Sequence, residues 1–164
     1  MDQALEKARE LLETLTPLKR DCGRLCGARC CASLEGEETG MLLFPGEEAC
    51  YAGKPGWKLK QAETGTLVIC PGKCERAERP LSCRMFPLLP ERAADGSIRV
   101  RTDARARAVC PLAKQGISAM DPAFTEAVRA AGEVLMTSAR QADMMEKIRK
   151  EQEELRSIQR EWRR

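Results

Sequence analysis

Residues 22–31 read CGRLCGARCC, placing Cys22, Cys26, Cys30 and Cys31 within ten positions, and this stretch decides what kind of fold the chain can have. Thiolates are soft, anionic ligands, and several at turn-length spacing form a pocket that a metal can neutralise and close. Without a metal they would repel one another as thiolates or cross-link as disulfides. The four-residue steps from Cys22 to Cys26 to Cys30 stack on one face of a helix, or curl round an ion on a loop containing Gly23 and Gly27. Cys30 and Cys31 are adjacent, so their side chains start in different directions, and both can ligate one metal only if the backbone bends sharply. Four further thiols follow at Cys70, Cys74, Cys83 and Cys110. Cys70 and Cys74 bracket Pro71-Gly72-Lys73, a knuckle-like turn after an apolar run.

The composition agrees with a fold organised by metal. Of 164 residues, 32% are charged and only 4% aromatic, so a conventional core is thinly supplied and metal binding would add folding free energy. The length suits one domain with an appended helix. Histidine is absent, which excludes mixed cysteine–histidine zinc fingers, histidine-based zinc proteases and any nucleophile pair built on histidine. The odd count of nine cysteines gives no even disulfide framework. The opening MDQALEKARELLETL has no apolar h-region, so no secretory leader is expected. No run of about 18 apolar residues predicts a membrane span. The expectation is a cytoplasmic protein in a reducing compartment, where clustered cysteines bind metal. A net charge of +3 is no strong argument for a polyanionic partner.

Outward from the cysteines, the periodicity predicts an α+β chain, small and irregular. Its cysteine-rich, metal-organised domain spans residues 1–120, and a helical extension, packed or protruding, spans 121–164. Leu5, Ala8, Leu12 and Leu15 predict a helix over 2–15, ended by Pro17. Gly36 and Gly40 mark a loop. Met41 to Phe44 reads as a short buried strand and Thr66 to Ile69 as a second, leading into Cys70. GKPG at 53–56 is a turn. Ile98 and Val100 alternate with arginines after Asp95-Gly96, which predicts an exposed hairpin strand. Asp121-Pro122 starts a helix, with Phe124, Val128, Ala131 and Leu135 on one face. Ser138 with Gln141 fits a capping box and a restart. Ile148, Leu155 and Trp162, with Gln152 and Gln159 between them, keep a heptad-like spacing. That pattern fits a helix packed on its own domain, or one pairing with a protein partner or a second copy.

The close-set CGRLCGARCC, followed by CERAERPLSCRMFPL from Cys74 and a later lone cysteine, resembles the CxxCxxCC cysteine-cluster proteins, the YkgJ-type zinc- or iron-chelating family. The resemblance covers residues 20–112, and its most specific part is Arg79 to Pro87. It implies a ligand set of Cys22, Cys26, Cys30, Cys31, Cys70, Cys74, Cys83 and Cys110, and leaves Cys50 as a core or spare thiol. Arg84, beside Cys83, is expected to donate to ligating sulfurs and tune a cluster. The family includes flagellin lysine methylases, which use S-adenosylmethionine and are associated with an iron–sulfur cluster.

Three classes of function compete. The first is a metal-binding protein serving redox chemistry, maturation or cluster-dependent modification; the second is a cluster- and S-adenosylmethionine-dependent protein lysine methyltransferase. The third is a structural zinc module binding nucleic acid or a protein. An all-sulfur set suits zinc and an iron–sulfur cluster such as 4Fe-4S alike, and the resemblance tilts toward iron–sulfur. Eight thiolates could hold two zinc ions, or one cubane with four thiols left over. Nucleic acid is disfavoured, because Arg99, Arg101, Arg105 and Arg107 lack interleaved aromatic platforms.

Overall fold

The structure, a computed structural model, describes residues 2–32, 40–72 and 74–162. The loop expected at Gly36 lies outside them. The fold is α+β, with helices at both ends and two small sheets between.

Helix α1 spans Gln3–Leu11, capped by Asp2, whose Oδ1 accepts from the Leu5 amide at 2.9 Å. It ends earlier than the periodicity predicts. Arg76, remote in sequence, reaches across to the carbonyls of Leu12, Glu13 and Leu15. Leu12 is the C-cap of α1, and Glu13 and Leu15 lie beyond it, so Arg76 ties down the segment that leaves the helix. Helix α2 is the single turn Gly23–Cys26. Strands β1 (Met41–Leu42), β2 (Lys58–Gln61) and β3 (Thr66–Ile69) form an antiparallel sheet in the order β1-β3-β2, with Met41 opposite Val68 and Leu59 opposite Val68 on the other edge. Strand β2 is exposed along its whole length and had no apolar signal.

Helix α3 (Leu81–Met85) leads through the cis Phe86–Pro87 bond into β4 (Leu88–Arg92), which pairs with β5 (Ile98–Thr102). Gly96 takes a left-handed φ of 83° in the connecting turn, and Asp95 accepts from Ser97, as the Asp-Gly pair predicts. Two short helices follow, α4 (Ala106–Val109) and α5 (Pro111–Gln115).

Helix α6 (Pro122–Leu135) starts at the predicted Asp121 cap and packs on α1, β4 and β5. Its contact with the hairpin requires a glycine: a Cβ on Gly132 would stand 2.5 Å from Pro90 Cβ and 2.8 Å from Ile98 Cγ2. Helix α7 (Ala139–Glu161) restarts at Ser138, but not through a capping box. Ser138 Oγ and Gln141 Nε2 instead both donate to Asp2 Oδ2, tying the start of α1 to the start of α7. Along α7, Met144, Met145 and Ile148 enter the main core, and Gln152 bonds Asp103 and the Ala104 amide. Arg156 pairs with Glu91, and Gln159 donates to the Ala104 carbonyl. The helix therefore lies on its own body, with Ile158 and Trp162 exposed near its end, Trp162 at 88%.

The core has two parts. The larger runs from Leu5 through Phe124 to Ile148; the smaller gathers Leu43, Tyr51, Trp57 and Val68. Among the described residues, no helix is long and apolar enough to cross a membrane.

Candidate metal centre

The eight cysteines of the family-like pattern arrive from separate stretches of chain, and all eight line one cavity of about 120 Å³. Cys50 does not; it is exposed on the turn Glu48–Cys50. Each thiol is delivered by a local device. Cys22 is the first-turn flank of α2, with Asp21 accepting from the Gly23 amide, and Cys26 is the helix's last residue. Gly27 and Ala28 then both adopt left-handed conformations, φ 63° and 54°. Ala28 is the one described residue other than glycine with positive φ, which is strained for a residue bearing a Cβ. This pair reverses the chain and supplies the sharp bend that adjacent Cys30 and Cys31 need to reach the same cavity. Strand β3 delivers Cys70, and Gly72 at φ 85° turns the chain so that Cys74 faces back. Helix α3 carries Cys83 after the extended Pro80, and Cys110 sits between α4 and α5.

The thiols are crowded enough to disturb one another. Burial first, and then its carboxylate and thiol neighbours Asp21, Cys110 and Cys26, push Cys22 up. Burial pushes Cys83 up as well, reinforced by Cys31, Cys70 and Cys74. Cys30 and Cys31 lie 4.0 Å apart, sulfur to sulfur. The hydrogen bond between them pushes Cys30 up and draws Cys31 down, Arg79 helping the latter and burial opposing it. A protonated thiol is a poor ligand, so a cation entering here would displace protons and relieve the repulsion together. Among the described residues, no three cysteine, aspartate or glutamate side chains stand in the arrangement of a formed coordination shell.

Arg84 does not take the role expected of it. Its guanidinium is buried and donates to three backbone carbonyls, Arg79, Arg9 and Ala77, at 3.1, 3.0 and 2.8 Å. It is a brace for the segment leading to Cys83. The cation beside most of the sulfurs is Arg79, five residues earlier: burial works against its charge, but Cys74, Cys31 and Cys83 outweigh that and hold it more firmly protonated. Its Nε is buried with no hydrogen-bond partner among the described residues. Arg79 opens the most specific part of the family-like motif, and its position before Pro80 was the available signal. Glu47 was also missed. It is fully buried, takes the Arg9 guanidinium, and accepts from the amides of Leu81 (2.9 Å) and Phe44 (3.0 Å). It therefore anchors the start of α3, two residues before Cys83.

The donor set fits a metal or cluster on its chemistry: eight sulfurs, no histidine, and a half-buried cation whose buried Nε is free to offset thiolate charge. In the basic stretch, by contrast, three of the four arginines are ion-paired. Arg99 pairs with Asp95, Arg101 with Glu91, and Arg105 with Asp103 and Glu151.

No family model, no curated protein and no solved structure matches the chain.

Proposed function

We propose that this is a cytoplasmic metal-binding protein that holds an iron–sulfur cluster, or zinc, through its clustered cysteine thiolates. The observation that carries the reading is the convergence of eight of nine cysteines on one cavity from both halves of the cysteine set. Nine free thiols also suit a reducing compartment better than an oxidising one. When bound, a cluster supplies one-electron chemistry, and zinc supplies structure or Lewis acidity. The chain's own part is to position sulfur. The strained Gly27-Ala28 reversal aims Cys30 and Cys31, Arg84 and Glu47 hold the Cys83 segment, and Arg79 lowers the electrostatic penalty of gathering thiolates. Iron–sulfur is favoured over zinc by the resemblance of residues 20–112 to the cysteine-cluster proteins, some of which act with S-adenosylmethionine.

The experiment is metal and sulfide analysis of protein purified without oxygen, beside thermal unfolding before and after verified metal removal. Bound iron and sulfide with broad visible absorbance, or stoichiometric zinc in colourless protein, is expected. Metal removal should lower the midpoint while part of the helical signal from α6 and α7 persists. A chain that takes up neither metal under anaerobic conditions would refute the proposal.

A further inference from the structure

The eight thiols are not equivalent around the cavity. Cys22 and Cys110 pack against the larger core, whereas Cys70 and Cys74 pack against the smaller core of Leu43, Tyr51, Trp57 and Val68. Cys26 Sγ lies 4.0 Å from the Cys22 carbonyl, and α4, which ends at Cys110, packs on the turn Arg29–Cys31. On the other side, the Cys31 carbonyl lies against the Cys70–Cys74 knuckle: a Cβ on Gly72 would stand 3.5 Å from it. Apart from the Cys30–Cys31 contact at 4.0 Å, which joins the two sides, the neighbouring thiols fall into the same groups. Cys22 feels Cys110 and Cys26, and Cys30 feels Cys22 and Cys26 besides its neighbour Cys31. Cys83 feels Cys31, Cys70 and Cys74, and Cys74 feels Cys70 and Cys31. Arg79 stands on the second side, hydrogen-bonded to Cys74.

Resting on the metal-binding reading above, we propose that the cavity holds two four-thiolate centres. Cys22, Cys26, Cys30 and Cys110 make one, and Cys31, Cys70, Cys74 and Cys83 make the other. The adjacent pair Cys30–Cys31 is split between them, which suits side chains that leave the backbone in different directions. Four sulfurs complete a tetrahedral zinc site or the ligation of a cubane, so eight in two quartets leave no thiol idle. A single centre would leave four crowded, partly buried thiols without a ligand role. Each quartet also joins the first cysteine cluster to a distant segment, closing a long loop in either case. The second quartet, with Arg79 beside it, is the less negative of the two.

Zinc is the probe, since an all-thiolate quartet accepts it whatever its native metal. The full chain is loaded anaerobically, freed of unbound ion, and assayed for zinc per chain by mass spectrometry under native conditions. The wild type should carry two ions. Cys110→Ser and Cys70→Ser should each carry one, and Cys70→Ser/Cys74→Ser should still carry one, because both changes fall in the same quartet. Cys70→Ser/Cys110→Ser should carry none. Circular dichroism checks that the helices of each variant persist, and stepwise zinc titration of the wild type counts centres without any substitution. If the chain takes up iron and sulfide instead, the same comparison is read as about eight irons against about four. One ion in the wild type, lost alike in either single variant, would overturn the two-centre arrangement while leaving the metal-binding reading intact. A Cys70→Ser/Cys74→Ser variant that loses both ions would overturn the partition. No uptake of any metal by the wild type would defeat both.

Discussion

Replacing Glu47 by alanine removes a carboxylate on which three parts of the molecule depend. Glu47 is 0% exposed. Its two oxygens serve the Arg9 guanidinium of α1, the Phe44 amide beyond β1, and the Leu81 amide that opens α3. Truncation leaves two amide donors without an acceptor and the Arg9 charge with the Tyr51 hydroxyl in place of a carboxylate. Breaking a buried pair by deleting one partner costs about 3–5 kcal/mol. Water can reach part of Arg9, whose side chain is 12% exposed, which places this case near the lower figure, at about 3 kcal/mol. Against a total stability on the order of 5–15 kcal/mol, such a loss leaves the chain folded but marginal. At about 2–4 °C per kcal/mol for a domain of this size, the thermal midpoint should fall by about 6–12 °C. Glu47→Gln keeps the shape and one acceptor, so it should lose less than alanine. The exposed Glu63→Ala should change stability by no more than about 0.5 kcal/mol. The assay is urea unfolding of all four proteins at matched metal content, with equal slopes required before midpoints are compared. A Glu47→Ala protein within about 1 kcal/mol of wild type would refute the assignment of this carboxylate as the anchor of α3.

Two further outcomes follow from the packing and the ionisation state. Gly132→Ala, a change that ordinarily stabilises a helix by about 1 kcal/mol, should here destabilise by about 1–2 kcal/mol, because the added carbon meets the rigid ring of Pro90 at 2.5 Å; thermal unfolding reads the sign directly, and a stabilised variant would show that α6 and β4 separate easily. At Asp2, burial opposes ionisation, but hydrogen bonds from Gln141, the Leu5 amide and Ser138 outweigh it and hold the carboxyl below its ordinary value of 3.8. The stability from the ionised carboxylate is therefore complete above that value and is lost as pH falls through the lowered one. Unfolding midpoints followed from about pH 6 down to about pH 2.5 should decline less steeply in Asp2→Asn than in wild type, and parallel curves would show that Asp2 does not link α1 to α7.

What could be read from the sequence was local. The Asp121-Pro122 start of α6, the β-branched run of β3 and the Asp95-Gly96 hairpin each carry their signal within a few residues, and each formed where expected. Apart from β1, which ends at Leu42 instead of reaching Phe44, the departures described here involve groups far apart in the chain. Strand β2 has no apolar alternation of its own and exists through its pairing with β3. Helix α1 stops short where Arg76, more than sixty positions away, takes the carbonyls of Leu12 and Glu13. Ser138 and Gln141 have the types and spacing of a capping box, yet the carboxylate of Asp2, brought in from the other end of the chain, competes for both. The two arginines near Cys83 follow the same logic. Adjacency in sequence pointed to Arg84, but one residue along a helix is a rotation of about 100°, so a side chain next to a ligand turns away from it. Arg84 also borders the cavity, but its nitrogens are taken by the carbonyls of Arg9, Ala77 and Arg79, whereas Arg79, held extended before Pro80, turns its charge to Cys74, Cys31 and Cys83. A cysteine's chemistry is legible from its identity alone; which charge stands beside it is decided by how the segments cross, and here the crossing is set by buried polar groups such as Glu47 that no periodicity reveals.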